Sequence, residues 1–296
     1  MTNEKAGSAV RTTELSLILA AIFWGANYAA TKYAADFLPP TLLVALRFAG
    51  GGLLLLLVLR LFEPGNRLSR GQLLPMLDLG CFGVAAAQVS FTFGVSMTTA
   101  SNTGLIFATA PVWGMILGSA LGLERPTAWG MVRVALSVLG VGIVVYDGLG
   151  AQDGVSLTGD LLVLLASLCV GAYTVLSMPL LVPHPPLAVA TYPTLFASPF
   201  ALLLAAPSLP GLEWGSVTPA AWATVGYSAA LATAFAFAAW QRGISRIGAN
   251  RVLIYQYLIT LTGVASGIVF FDESLGPEKL LGGAVILLGL YLSRRR

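Results

Sequence analysis

The stretch FWGANYAATK at 23–32 carries mixed chemistry inside an apolar run. On a helix, Trp24, Asn27, Tyr28, Thr31 and Lys32 fall at i, i+3, i+4, i+7 and i+8, so they share one face. Aromatic rings, an amide and an ammonium hold and orient a small molecule; they do not make or break its bonds. A polar stripe facing lipid is costly, and ionisable groups inside a membrane usually face a cavity or the bundle interior. The stripe is therefore expected to line a cavity. The bland alternatives are that Asn27 bonds a neighbouring helix, that Lys32 snorkels, or that it pairs with Asp36 one turn on.

Other helical runs carry further candidates. Arg47, in ALRFAG, suits a carboxylate, which guanidinium grips with two parallel bonds; snorkelling or a fixed bond to backbone carbonyls competes with that reading. Gln88 lies one turn before Thr92. Asn102, Thr109 and Trp113 share a face, with Pro111 able to bend their helix and free a carbonyl. Tyr173, Trp240, Gln256 and Tyr257 complete the set of expected cavity residues. Aromatics near helix ends, Trp129, Trp214, Trp222 and Tyr291, fit an interfacial belt instead. No G-x-S-x-G, H-E-x-x-H or Gly-Lys-Ser/Thr loop appears. A lone histidine, His184, removes Ser–His catalysis, and with two distant cysteines it completes no metal set. The reading is no enzyme, no cofactor, no metal and no nucleic-acid partner.

The elements that position these residues follow from composition. Of 296 residues 57% are hydrophobic and 10% charged, against about 25% charged in soluble domains. The solvent must be largely a lipid bilayer. A helix needs about 20 apolar residues to cross one. Ten such runs occur, at about 15–35, 41–62, 72–95, 102–122, 127–147, 158–180, 187–207, 219–240, 250–271 and 276–293. They are continuous rather than alternating, so the expected class is an all-α integral membrane bundle, not a barrel. Lys5 and Arg11, then Arg60, Arg67 and Arg70, Arg125, Arg242, Arg246 and Arg251, and Arg294 to Arg296 all fall on one side, which by the positive-inside rule is the cytoplasm. Asp147, Asp153, Asp160, Glu213, Asp272, Glu273 and Glu278 fall on the other, with Lys279 as the basic exception.

The chain also repeats itself. WGANY at 24–28 matches VGAY at 170–173, LPPTLL at 38–43 matches HPPLAV at 184–189, and ASNTGLIFATAP at 100–111 matches GANRVLIYQYLI at 248–259. Glu124 stands 16 residues before Gly140, as Glu273 does before Gly289. Each half holds five helices, an odd number, so the second enters the membrane inverted relative to the first, with a site expected near the midplane between them. The segments are a cytoplasmic tail 1–14, a first repeat 15–147, a periplasmic linker 148–157, a second repeat 158–293 and a basic end 294–296.

Two tandem five-helix repeats, WGANY, ASNTGLIFATAP and the acidic residue before each fifth helix resemble the drug/metabolite transporter superfamily, each half like one EamA-type domain. Within it the chain looks most like bacterial aromatic amino acid exporters of the YddG type. That resemblance implies ten helices around a central cavity and export across the bacterial inner membrane.

Charge narrows the substrate. Helices 6 to 10 carry essentially no charge away from their ends, so organic phosphates are disfavoured. An organic cation, carried by a multidrug exporter, would want a midplane carboxylate beside its aromatic cage, and none is present. A zwitterionic amino acid fits better. Helix 1 holds no acidic residue between Leu15 and Ala35, so transport is expected to run down the substrate gradient without proton coupling. One chain supplies both halves, so a monomer is expected to suffice.

Overall fold

The computed structural model describes residues 3–65, 68–122, 132, 135–136, 138–144, 146 and 156–291. Among these the regular elements are all helical: α1 (Asn3–Ala35), α2 (Pro40–Phe62), α3 (Gly71–Met97), α4 (Ala100–Ala120), α5 (helical over 138–144), α6 (Leu157–Leu181), α7 (Pro186–Ser208), α8 (Pro219–Ile247), α9 (Leu253–Phe271) and α10 (Pro277–Tyr291). Seven of them, α2–α4 and α6–α9, are long and apolar enough to cross a membrane.

Helix starts follow local chemistry. α2 and α7 each begin on the second proline of a Pro-Pro pair, whose fixed φ and missing N–H suit the first helical position. Thr99, Ser156 and Thr218 cap α4, α6 and α8, accepting from the amides of Asn102 (3.0 Å), Gly159 (3.0 Å) and Ala221 (3.2 Å), which satisfies donors a helix leaves open. Irregular turns recur at matching places in the two halves. α3 widens into a π-turn at Leu79–Ala85 and α8 at Ser228–Phe235. α4 breaks at Ala108 and Thr109, just ahead of Pro111, and a short helix Ala249–Val252 passes through a tight turn at Leu253–Tyr255 into the rest of α9.

Packing pairs α2 with α7, α4 with α9, α1 with α8 and α9, and α6 with α3 and α4. Glycines permit the closest crossings. A Cβ on Gly140 would meet the Gly282 carbonyl at 2.7 Å, and one on Gly282 would meet the Gly140 carbonyl at 2.8 Å. Gly25 lies so close to Thr262 and Gly263 that a methyl there has no room. The outward faces are apolar: Leu61, Phe62, Leu203, Val269 and Phe270 are each at least two-thirds exposed, as lipid contact requires.

Three boundaries differ from the sequence reading. α1 begins at Asn3, well before its apolar run. Arg242 and Arg246 belong to the last turns of α8 rather than a loop. Asp160 is no loop residue but sits buried in the first turn of α6. The readings at Arg67, Glu124, Arg125, Trp129, Asp147, Asp153 and Arg294 to Arg296 lie outside the described residues.

Candidate functional site

Helices α1, α2, α3, α4, α6, α8 and α9 enclose a cavity of about 50 Å³. Eight of the twelve residues singled out by sequence line it: Trp24, Asn27, Tyr28, Arg47, Gln88, Tyr173, Trp240 and Gln256. Phe91, Phe107 and Phe237 join them, and sequence reasoning passed these over because phenylalanine in an apolar run has no polar signal. Spacing held a clue: Phe91 is three residues from Gln88, and Phe237 three from Trp240.

The aromatic lining falls into two groups. Trp24 and Trp240 lie 5.0 Å apart between ring centroids, and Trp24 and Phe237 5.6 Å. Tyr28, Phe91 and Phe107 form a second group at 5.3–6.1 Å. These are edge-on or tilted pairs, the arrangements the ring quadrupole favours.

Three bonds stitch α1 to the widened turn of α8. The Trp24 indole donates to the Ala232 carbonyl at 2.6 Å, the Tyr227 hydroxyl donates to the Phe23 carbonyl at 2.7 Å, and the Ser228 hydroxyl donates to Asn27 Oδ1. Asn27 Nδ2 donates in turn to Thr31 at 3.1 Å. Asn27 thus both bonds another helix and lines the cavity, joining the two readings that the sequence left open.

Arg47 is 2% exposed. One nitrogen donates to Gln88 Oε1 at a long 3.5 Å, while Nε and Nη1 have no partner. The hydroxyls of Tyr28 and Tyr173 and the amide nitrogen of Gln256 are also buried, Tyr28 beside Gln256 and Tyr173 beside Gln241. No carboxylate is among the described lining residues. The cavity therefore offers donors and one positive charge within an aromatic shell.

The remaining four expected residues lie elsewhere. Trp113 donates to Ser167 at 3.1 Å, tying α4 to α6. Tyr257 lines a more open groove of about 660 Å³ with Glu14 and Arg251. Lys32 and Asn102 belong to a polar cluster at the end of the bundle where α1 and α9 finish and α4 and α6 begin. There Lys32 donates to the Thr98 carbonyl at 2.7 Å and meets Glu273 at 3.5 Å; it pairs with Glu273, not with Asp36. Glu273 accepts the amides of Ala100 and Ser101, both at 2.8 Å, at the positive end of α4. Asp160 accepts from the Thr98 hydroxyl at 2.6 Å and from Asn102 at 3.4 Å. Burial would raise the Glu273 carboxyl, but Ser101, the Ala100 amide and Lys32 outweigh it and hold Glu273 below the ordinary glutamate value. Asp272, in the left-handed region at φ 50°, turns the chain so that Glu273 comes back over α4.

Among the described residues no cluster of His, Cys, Asp or Glu could hold a metal. The site can enclose, orient and release a small molecule.

Comparison with known proteins agrees. The EamA-like transporter family matches residues 11–146 and 157–295. The "Uncharacterized transporter YetK" of Bacillus subtilis is 26% identical over 283 residues, which cover 94% of this chain and 86% of that one. The "Probable terminal-alkyne amino-acid exporter" of Streptantibioticus cattleyicolor is 29% identical over 235 residues, covering 78% and 77%. A crystal structure at 18% identity superposes with a TM-score of 0.68 over 96% of each chain, which shows the shared fold. With both repeats matched over nearly the whole chain, this multi-pass membrane protein belongs to the EamA-like transporter family.

Proposed function

We propose that the chain exports amino acids, aromatic ones included, across the bacterial inner membrane through the central cavity. Ten crossings form two inverted five-helix repeats, both termini are cytoplasmic, and one chain suffices. Alternating access exposes the cavity first to one side and then to the other. The observation that carries this reading is the enclosed aromatic cavity with one buried, underpaired arginine. An aromatic or aliphatic side chain suits the rings, and a carboxylate suits the guanidinium. The matching π-turns of α3 and α8 and the reciprocal approach of Gly140 and Gly282 support a two-fold relation between the halves. The exporter name of the Streptantibioticus relative supports the substrate class. The absence of a carboxylate from the described lining supports transport driven by the substrate gradient.

The cavity volume of about 50 Å³ lies well below the ~300 Å³ lower end of ligand pockets. Loading an amino acid then requires the cavity to widen. In proteoliposomes, labelled phenylalanine is expected to enter down its own gradient and to do so far more slowly with Trp24→Ala. No uptake by folded protein, with or without a proton gradient, removes the assignment.

A further inference from the structure

Arg47 is a buried cation with two nitrogens unbonded, and among the described residues no carboxylate bonds it. Its long contact is to a neutral amide, Gln88, and its titratable neighbour is the Tyr227 phenol, which is neutral near pH 7. A buried charge without a partner is strongly unfavourable, so the guanidinium favours a negative group beside it. Nothing equivalent is offered to a positive group. The described lining has no Asp or Glu, and two of its acceptors are already engaged: Asn27 Oδ1 by Ser228, and Gln88 Oε1 by Arg47. What remains for an ammonium is neutral: the faces of the rings, the hydroxyls of Tyr28 and Tyr173 and the Gln256 amide, a weaker attraction than a charge pair.

We propose that Arg47 is the residue that selects substrate, through a carboxylate, and that the cavity is indifferent to the α-ammonium. The ligand class is then monocarboxylates with an aromatic or branched apolar body, including amino acids whose nitrogen is acylated or absent. Gln88 holds one edge of the guanidinium and leaves Nε and Nη1 to make the paired contact. This rests on the assignment of the cavity as the transport site and narrows what that site takes.

The test is direct titration of purified protein in lipid nanodiscs, read by indole fluorescence, since Trp24 and Trp240 line the cavity, and by the shift in melting temperature. The probes are phenylalanine, N-acetylphenylalanine, 3-phenylpropionate and phenethylamine. The first three are expected to bind within about tenfold of one another, and phenethylamine at least about tenfold more weakly, as loss of a charged hydrogen-bonded pair implies. Arg47→Gln should erase the difference between 3-phenylpropionate and phenethylamine, while Arg47→Lys keeps part of it. If Arg47→Gln does not fold, Gln88→Leu, which frees the guanidinium edge, should weaken the carboxylates by a smaller factor. Phenylalanine binding without 3-phenylpropionate would sink the proposal and leave the amino acid exporter standing. Carboxylate binding without phenylalanine would do the reverse. Equal binding of phenethylamine, or binding by none of the four, overturns the role of Arg47.

Discussion

Asn27 shows how one side chain can bond a neighbouring helix and border the cavity together. Its carbonyl takes the Ser228 hydroxyl and its amide reaches Thr31, so the amide plane is fixed where it borders the cavity. Asn27→Leu keeps the volume and loses both bonds. Interhelical hydrogen bonds in membranes contribute about 0.6 kcal/mol each, so this variant should melt slightly lower in detergent while its uptake falls more steeply than its stability. Equal loss in both would leave Asn27 purely structural. The polar part of this site was legible in the sequence, because a polar residue in an apolar run declares itself and helical spacing assigns its face. Phe91, Phe107 and Phe237 were not, since identical residues elsewhere in the chain face lipid. Lys32 and Asn102 were expected to line the cavity and instead meet a polar cluster at the end of the bundle. Which buried neighbours they met depended on Glu273 and Asp160, 241 and 58 residues away.

At the scale of elements, two devices hold the bundle together. Glu273 grips the first amides of α4 from the end of α9. Because its folded value is depressed, the stabilisation is complete above the ordinary glutamate value of 4.5 and is lost as pH falls through the lowered value. Glu273→Gln keeps the shape and removes the charge. It should lower the melting temperature at pH 7 by the equivalent of about 1 kcal/mol, and the gap from the parent should close as the pH is brought below 4.5. A gap unchanged by acid would deny the carboxylate that role. The other device is close packing. Gly25→Val forces a branched side chain against Thr262 and the Gly263 backbone, and overpacking of this kind costs about 1–3 kcal/mol. Its folded yield and melting temperature should fall clearly, and those of Gly226→Val, where a Cβ meets nothing, should not. The seven long apolar helices were readable from apolar run length. The π-turns were not, because the residues forming them, LGCFGVA and SAALATAF, are ordinary helix-compatible apolar sequence.

The whole molecule repeats at a level the sequence only hints at. Gly25 and Gly171 occupy matching places in α1 and α6, and eleven residues before each stands an acid, Glu14 and Asp160. Asp160 is bonded into the cluster that closes one end, whereas Glu14 borders the open groove with Arg251. The two ends of the bundle thus differ in this structure, one tied by a polar cluster and the other bordering a groove. Orientation can be tested at two glycines where an added side chain meets nothing, Gly65 and Gly211. With Cys81 and Cys169 replaced by serine, a membrane-impermeant maleimide added to cells with a permeabilised outer membrane should label Gly211→Cys and spare Gly65→Cys. The opposite pattern would turn the protein over in the membrane.

Arg47 has one more consequence, and it is electrical. A zwitterion crosses with no net charge, so membrane voltage neither helps nor hinders it. A simple carboxylate leaves one negative charge outside per cycle, and a cell interior held negative drives that exit by about 2.3 kcal/mol per 100 mV. The empty carrier, returning with an uncovered guanidinium, becomes the voltage-sensitive step. In liposomes with an imposed potassium diffusion potential, 3-phenylpropionate flux should follow the sign of the voltage and phenylalanine flux should ignore it. One cavity would then serve as a passive outlet for amino acids and a voltage-powered one for their deaminated or acylated forms.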